Sequence, residues 1–227
     1  MTTEILLALS AFAFVSSITP GPNNLMLMAS GTNFGFRRTL PHLLGVNIGF
    51  TLMIVLVGAG LVRLFDAYPV AHSILKVVSV IYLLWLAWKI ATSPAPGTSA
   101  TRNQASASAR PFTFTQAALF QWVNPKAWSM ALSAVSAYAA PTRPVQSLFV
   151  IALVFGVINL PAVSSWALLG VRLRHFLDQP RKLRIFNVIA AVILVMTLYP
   201  VLFSGSAVRR HACLSPLSRG LGVDARA

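Results

Sequence analysis

The chain has 227 residues, 56% of them hydrophobic and only 10% charged, with a mean hydropathy of +0.74 and a formal net charge of +14. Soluble domains carry about 25% charged residues and a bilayer span needs about 20 apolar ones, so the composition excludes a mainly water-soluble protein and leaves room for several spans. The charge does not point to nucleic acid, because the basic residues sit in short clusters between apolar runs and lack interleaved aromatic side chains. Cys213 is the only cysteine, which excludes a disulfide within the chain and argues against thiol redox chemistry.

The N-terminal run MTTEILLALSAFAFVSS has no Lys or Arg ahead of it and leads into TPGPNN, so a cleaved signal peptide is not expected. Apolar runs read as spans near Ile5 to Met28, Leu43 to Val62, Ala71 to Ala91, Phe112 to Tyr138, Val145 to Val171 and Ile185 to Phe203. Lys76 and Lys89 fall inside the third, where their stems can snorkel to opposite interfaces beside Tyr82, Trp85 and Trp88. Ser93 to Arg110 is rich in Pro, Ser, Ala and Gly and reads as a flexible linker.

These readings give an all-α integral membrane protein of six transmembrane helices. Residues 1–92 form a first three-helix repeat, 93–110 a cytoplasmic linker, 111–203 a second repeat and 204–227 a disordered basic tail. Three spans before the linker send the second half into the membrane in the opposite direction, so the repeats are inverted. GVNIG at Gly45 to Gly49 matches GVINLP at Gly156 to Pro161, and PGPNNLM at Pro20 to Met26 matches NPKAWSM at Asn124 to Met130. Arg37, Arg38, Lys89, Arg102, Arg110, Arg172, Arg174, Arg181, Lys182 and Arg184 fall on one side, which the positive-inside rule makes cytoplasmic, with both termini external. The basic tail, with Arg209, Arg210, Arg219 and Arg226, opposes that orientation.

Two polar interruptions carry the candidate chemistry. In the first, Thr19, Pro20, Gly21, Pro22, Asn23 and Asn24 lie deep in an apolar span. The prolines lack backbone donors and free carbonyls one turn earlier, and in hydrocarbon those carbonyls need partners. A broken helix lining a polar cavity answers that need. A kinked helix packed on its neighbours is the plainer alternative, but two adjacent amides favour a site. In the second, Gln116, Gln121, Asn124, Pro125 and Lys126 interrupt the fourth span. Lys126 either faces carbonyls or water inside the bundle or snorkels out at the cytoplasmic boundary, and the residues leave both readings open. Asn47 and Asn159 follow Gly45 and Gly156; a hydrogen bond across helices is their first reading and substrate contact the second. Gly45 and Gly49 have the spacing for close helix approach.

The acidic residues are Glu4, Asp66, Asp178 and Asp224, none central in a span, so a buried carboxylate relay is not expected. His42, His72, His175 and His211 are too scattered for a metal site. No phosphate-binding loop is present, and no cofactor is called for.

TPGPNNLMLMASG, TNFGFRR, WLAWKIATSP and NPKAWSM together resemble the LysE/RhtB family of amino-acid exporters, most of all its cysteine and O-acetylserine branch, from Met1 to about Phe203. The resemblance implies secondary efflux of amino acids across an inner membrane, by two related three-helix halves. It matches Pro20, Gly21, Pro22 and Asn23 to the family's first motif and Asn124, Pro125 and Lys126 to its second. Phe50 stands where some members carry an acidic residue, so proton coupling there is not implied. The expected partners are an amino-acid substrate and the lipid bilayer, and a homodimer is compatible with them. Competing readings are a transporter of an inorganic cation or another small solute, and a membrane-embedded scaffold or enzyme using Ser16, Ser17 or Lys126. The missing intramembrane carboxylates and thiolates weigh against the metal, and the missing Ser-His pairing weighs against the enzyme.

Overall fold

A computed structural model describes residues 1–61, 69–92, 111–140, 142–174, 176 and 179–197. The expected linker at 93–110, the tail at 204–227 and the last residues of the expected sixth span lie outside them. All regular secondary structure among the described residues is helical, without a strand.

The first apolar run is two helices. Helix α1 (Thr3–Ile18) starts on the Thr2 side chain, which accepts from the Ile5 N–H at 3.4 Å. It stops at Ile18 because Thr19 precedes a proline and is held extended. Pro22 then opens α2 (Pro22–Phe34), a position where its missing N–H costs nothing. The two axes are bent by 54°. Gly35, at φ +78°, turns the chain sharply from α2 into α3 (Phe36–Leu56), in a conformation that suits glycine. A π turn over Val57–Leu61 ends α3, and α4 spans Pro69–Ala91.

The second half repeats that order. A capping box between Thr113 and Gln116 starts α5 (Phe114–Phe120). A 3₁₀ turn, Gln121–Val123, leads to Asn124, and Pro125 opens α6 (Pro125–Tyr138). The long α7 (Pro144–Arg174) and then α8 (Pro180–Met196) complete the described chain.

Each broken pair packs on the long helix of the other half: α1 and α2 on α7, α5 and α6 on α3. The long helices α3 and α7 also pack together, as do α4 and α8. The crossings are close because small residues face backbone. A Cβ on Gly31 would strike the Ala167 carbonyl, and one on Gly170 the Met28 carbonyl. Gly45 and Gly49 press on Phe114 and Ala118 of α5, as their spacing anticipated.

Leu7, Phe14, Ile48, Leu52, Ile81, Trp88, Phe149, Val157 and Val192 all face outward. An apolar exterior of this kind on a helical bundle is the surface that lipid solvates. Two helices, α3 with its π turn and α7, are each long and apolar enough to cross a bilayer, and the bent α1/α2 pair makes a third. Helix α4 carries a shorter apolar stretch, Val77–Ala91. The chain is therefore a multi-pass membrane protein.

Most of the described basic residues gather at one end of the bundle, Lys126 and Arg143 being among the exceptions. Leu173 at the end of α7, Phe186 near the start of α8, Ile90 at the end of α4 and Phe112 before α5 share one apolar cluster. At the opposite end the Tyr138 hydroxyl donates to the Ala8 carbonyl at 3.3 Å, and Leu148 packs on Gly58. Arg37, Arg38, Arg172, Arg174, Arg181 and Lys182 thus flank the first end. Lys89 sits there with its ammonium 5.1 Å from the Trp85 ring and 5.9 Å from that of Phe112.

Candidate functional site

The two helix breaks meet. A helix rises about 1.5 Å per residue, so the first break has roughly 24 Å of helix before it and 20 Å after it. Between the breaks lies a cavity that encloses about 330 Å³ of empty space, its open mouth included.

The first break exposes the last carbonyls of α1, and side chains from elsewhere take them up. Asn24 Nδ2 donates to the Ser17 carbonyl at 2.8 Å and to that of Thr19 at 2.9 Å. Trp166 Nε1, from α7, donates to the Ile18 carbonyl at 3.0 Å. Lys126 Nζ, from α6, donates to the Thr19 carbonyl and stands 3.5 Å from that of Pro20. All four carbonyls from Ser17 to Pro20 therefore have a partner, as a break at this depth requires.

The second break is closed by its own residues. Gln121 Nε2 donates to the Ala117 carbonyl at 2.8 Å, Trp128 Nε1 to that of Trp122 at 2.8 Å, and Asn124 Oδ1 accepts the Lys126 N–H at 3.1 Å as the cap of α6. Besides Lys126, an amide pair joins the breaks: Asn23 Nδ2 donates to Gln121 Oε1 at 2.8 Å, and Gln121 Nε2 donates to Asn23 Oδ1 at 3.2 Å.

The cavity wall takes Ser16 and Ser17 from α1, Gly21, Asn23 and Asn24 from the first break, and Asn124, Lys126, Ala127 and Met130 from the second. Val46 and Phe50 of α3 and Asn159 and Val163 of α7 close it. Of the candidates from sequence, Gly21, Asn23, Asn24, Asn124, Lys126 and Asn159 line this space. Pro20, Pro22, Asn47 and Pro125 do not; the prolines shape the breaks. Asn47 and Asn159 bond across helices, Asn159 Nδ2 to Asn47 Oδ1 at 2.8 Å and Asn47 Nδ2 to the Gly156 carbonyl at 3.1 Å, which ties α3 to α7 behind the cavity.

Three contributors stand outside the substrate-binding residues expected from sequence, although Gln121 was noted as part of the second interruption and Ser17 as a possible nucleophile. The Ser17 hydroxyl is buried on the cavity wall without a hydrogen-bond partner. Gln121, buried, mates with Asn23 from 98 residues away. Trp166 reaches α1 from the middle of an apolar helix. Ser17 and Gln121 left local signals, a hydroxyl one turn before a proline break and an amide interrupting an apolar run; Trp166 left none.

The wall offers donors and acceptors of both polarities. The negative end of α1 and the positive ends of α2 and α6 all face the breaks. Among the described residues no three His, Cys, Asp or Glu side chains gather as a metal site. His42 is buried against Phe112, at 5.3 Å between ring centroids, and is not part of the wall.

Beyond geometry, the sequence matches the profile of LysE type translocators over residues 14–199. The chain belongs to the LysE family. Within that family's reach, the cysteine/O-acetylserine efflux proteins of Escherichia coli (strain K12) and Shigella sonnei (strain Ss046) are each 30% identical to it over 197 residues, covering 86% of this chain and 96% of theirs. No solved structure matches it. The LysE match begins within α1, so both breaks and the whole cavity wall fall inside the family's span.

Proposed function

We propose that this protein is a secondary exporter of neutral amino acids or their close derivatives, moving them from the cytoplasm across an inner membrane. The observation that carries the reading is the meeting of two broken helices at one cavity whose wall holds both hydrogen-bond acceptors and donors. A zwitterion leaving water at membrane depth must replace the hydration of both charged ends. The Thr19 and Pro20 carbonyls at the negative end of α1 suit its ammonium. The first-turn N–H groups of α2 and α6, with the Ser17 hydroxyl, suit its carboxylate. Asn23 and Asn124 hold the breaks in register around it. Val46, Phe50, Met130 and Val163 leave an apolar lane for a small uncharged side chain, and no carboxylate lines the wall to pair with a cationic one. The relatives' names, which specify cysteine and O-acetylserine efflux, support that size and charge.

Six spans in two inverted repeats, Met1 to Thr92 and Pro111 to Phe203, complete the proposal. The twice-repeated order of broken helix, long helix and outer helix supports it, as does the reciprocal packing of each broken pair on the other half's long helix. Basic residues collected at one end of the bundle support a cytoplasmic linker with both termini external. In a Cys213→Ser background, cysteine at Ser206 should react with an impermeant thiol reagent from outside and cysteine at Ser99 should not; the opposite pattern reverses the orientation.

The function is tested by export. Cells loaded with dipeptides should release more free amino acid when they carry the protein, and Asn23→Ala at equal membrane abundance should bring release down to background. Equal release with and without the protein would sink the reading.

A further inference from the structure

The substrate's ammonium subsite, as read above, is already filled by the protein. We propose that Lys126 is a tethered occupant of that subsite: in the empty carrier its ammonium holds the Thr19 and Pro20 carbonyls, and an entering amino acid displaces it. The proposal rests on the export reading and adds to it a residue that competes with substrate.

Lys126 stands in the first turn of α6, where the helix dipole disfavours a cation. Its stem crosses to the opposite kind of helix end, the carbonyl terminus of α1, 107 residues earlier in the chain. The lane it takes is kept open by Gly21. A Cβ there would stand 2.6 Å from Lys126 Cδ, closer than packing allows, and 3.2 Å from Nζ, so the lysine stem would have to shift. No acid shares the spot: among the described residues the only carboxylate side chain is Glu4, in the first turn of α1. The ammonium is thus held by neutral carbonyls, the same acceptors a substrate ammonium needs.

The other side chains that close this helix end, Asn24 on the Thr19 carbonyl and Trp166 on the neighbouring Ile18 carbonyl, are built in. Asn24 is buried on α2, and Trp166 is packed in the apolar cluster beneath. Lys126 differs, being partly exposed on a flexible four-carbon stem, and so is the occupant that can leave. Beside it the Ser17 hydroxyl is buried on the wall with no partner, a polar group that a bound ligand would satisfy. An empty carrier returning through the membrane must keep its broken backbone paired, and the tethered ammonium does this without admitting a free cation.

Two measurements on the whole protein in detergent, with O-acetyl-L-serine as the probe, decide the matter. Lys126→Met keeps a flexible stem and removes the charge. Binding should tighten about tenfold, as expected when a competing hydrogen bond to a charged group is lost, while export slows. In wild type, brief acetic anhydride treatment followed by peptide mass spectrometry should show Lys126 acetylated more with the probe than without it, scored against exposed Lys182 in the same sample. Weaker binding by Lys126→Met together with protection of Lys126 would make the lysine a direct ligand of the carboxylate and overturn the proposal. No change in either would make it a bystander and also overturn it. If the variant cannot be recovered, the wild-type acetylation decides alone. A wild type that neither binds the probe nor releases any amino acid from dipeptide-loaded cells defeats the export reading itself, whereas the first two failures leave that reading standing.

Discussion

The two helix breaks contain the same kinds of residue and solve the same problem in opposite ways. At the second, the chain stays nearly helical through a 3₁₀ turn, and Gln121, Asn124 and Trp128 satisfy backbone groups within a turn or two of themselves. At the first, three residues run extended between helices, and the exposed carbonyls depend on Asn24, Trp166 and Lys126, two of them from the other half of the molecule. A break closed locally keeps its shape whatever its neighbours do. A break closed from outside changes its bonding whenever the halves move, which is the property an alternating-access site needs. On the proposed export reading, the first break is the working surface and the second its support.

The sharpest way to break this comparison is Asn24→Ala. It strips the donor from the Ser17 carbonyl and one of two donors from that of Thr19, at about 1–3 kcal/mol for each buried group left unsatisfied. Export should fall more than tenfold and the melting temperature in detergent should drop. A wild-type melting temperature would mean that water already serves these carbonyls. Next in size is Trp166→Phe, which keeps an aromatic side chain, though a smaller one, and removes the Nε1 donor to the Ile18 carbonyl. A loss of about 1–3 kcal/mol is expected, with export reduced severalfold. Asn124→Ala should do less to stability, about 1 kcal/mol for a lost N-cap, and Asn124→Ser should restore it because serine caps as well. If Asn124→Ala proves more damaging to stability than Asn24→Ala, the roles of the two breaks are exchanged.

How far the sequence carries this picture depends on the range of each interaction. Pro20, Gly21 and Pro22 announce the first break because a proline acts on its own chain neighbours. Gly45 and Gly49 announce a close crossing, and Asn47 with Asn159 a bond between helices, because their alternatives in lipid are few. Thr113 and Gln116 start α5 by a contact three residues long. What could not be read is everything that depends on which helices cross. Gln121 was visible as a polar interruption, but its partner Asn23 follows only from the placement of α5 beside α2. Trp166 looks like any apolar-face tryptophan until α7 is laid against the end of α1. Lys126, left open between an inward and a snorkelling reading, proves to reach inward onto a helix end whose position no local pattern encodes. The 30% identical relatives supply the family, and the bonding at the break supplies what the family name does not say.

The smallest effect should come from the most conspicuous anomaly outside the breaks. Asn187 in α8 is fully buried, and neither atom of its amide has a partner. It belongs to α8, which packs chiefly on α4, and contributes nothing to the cavity wall. Asn187→Ala removes two polar groups whose burial costs about 1–3 kcal/mol each when unsatisfied, while the space left behind costs of the order of 24 cal/mol per Å³. The terms oppose one another and are similar in size, so the melting temperature should stay within a few degrees of wild type, and Asn187→Leu, which refills the space without polarity, should raise it. Export by both variants should match wild type at equal abundance, the reverse of Asn23→Ala, although all three changes remove an amide from a membrane helix. If Asn187→Leu is stable and export is nevertheless lost, that amide finds its partner in another conformation of the carrier. The α4 and α8 pair would then move during transport, and the contrast between a working break and a supporting one would have to widen to include them.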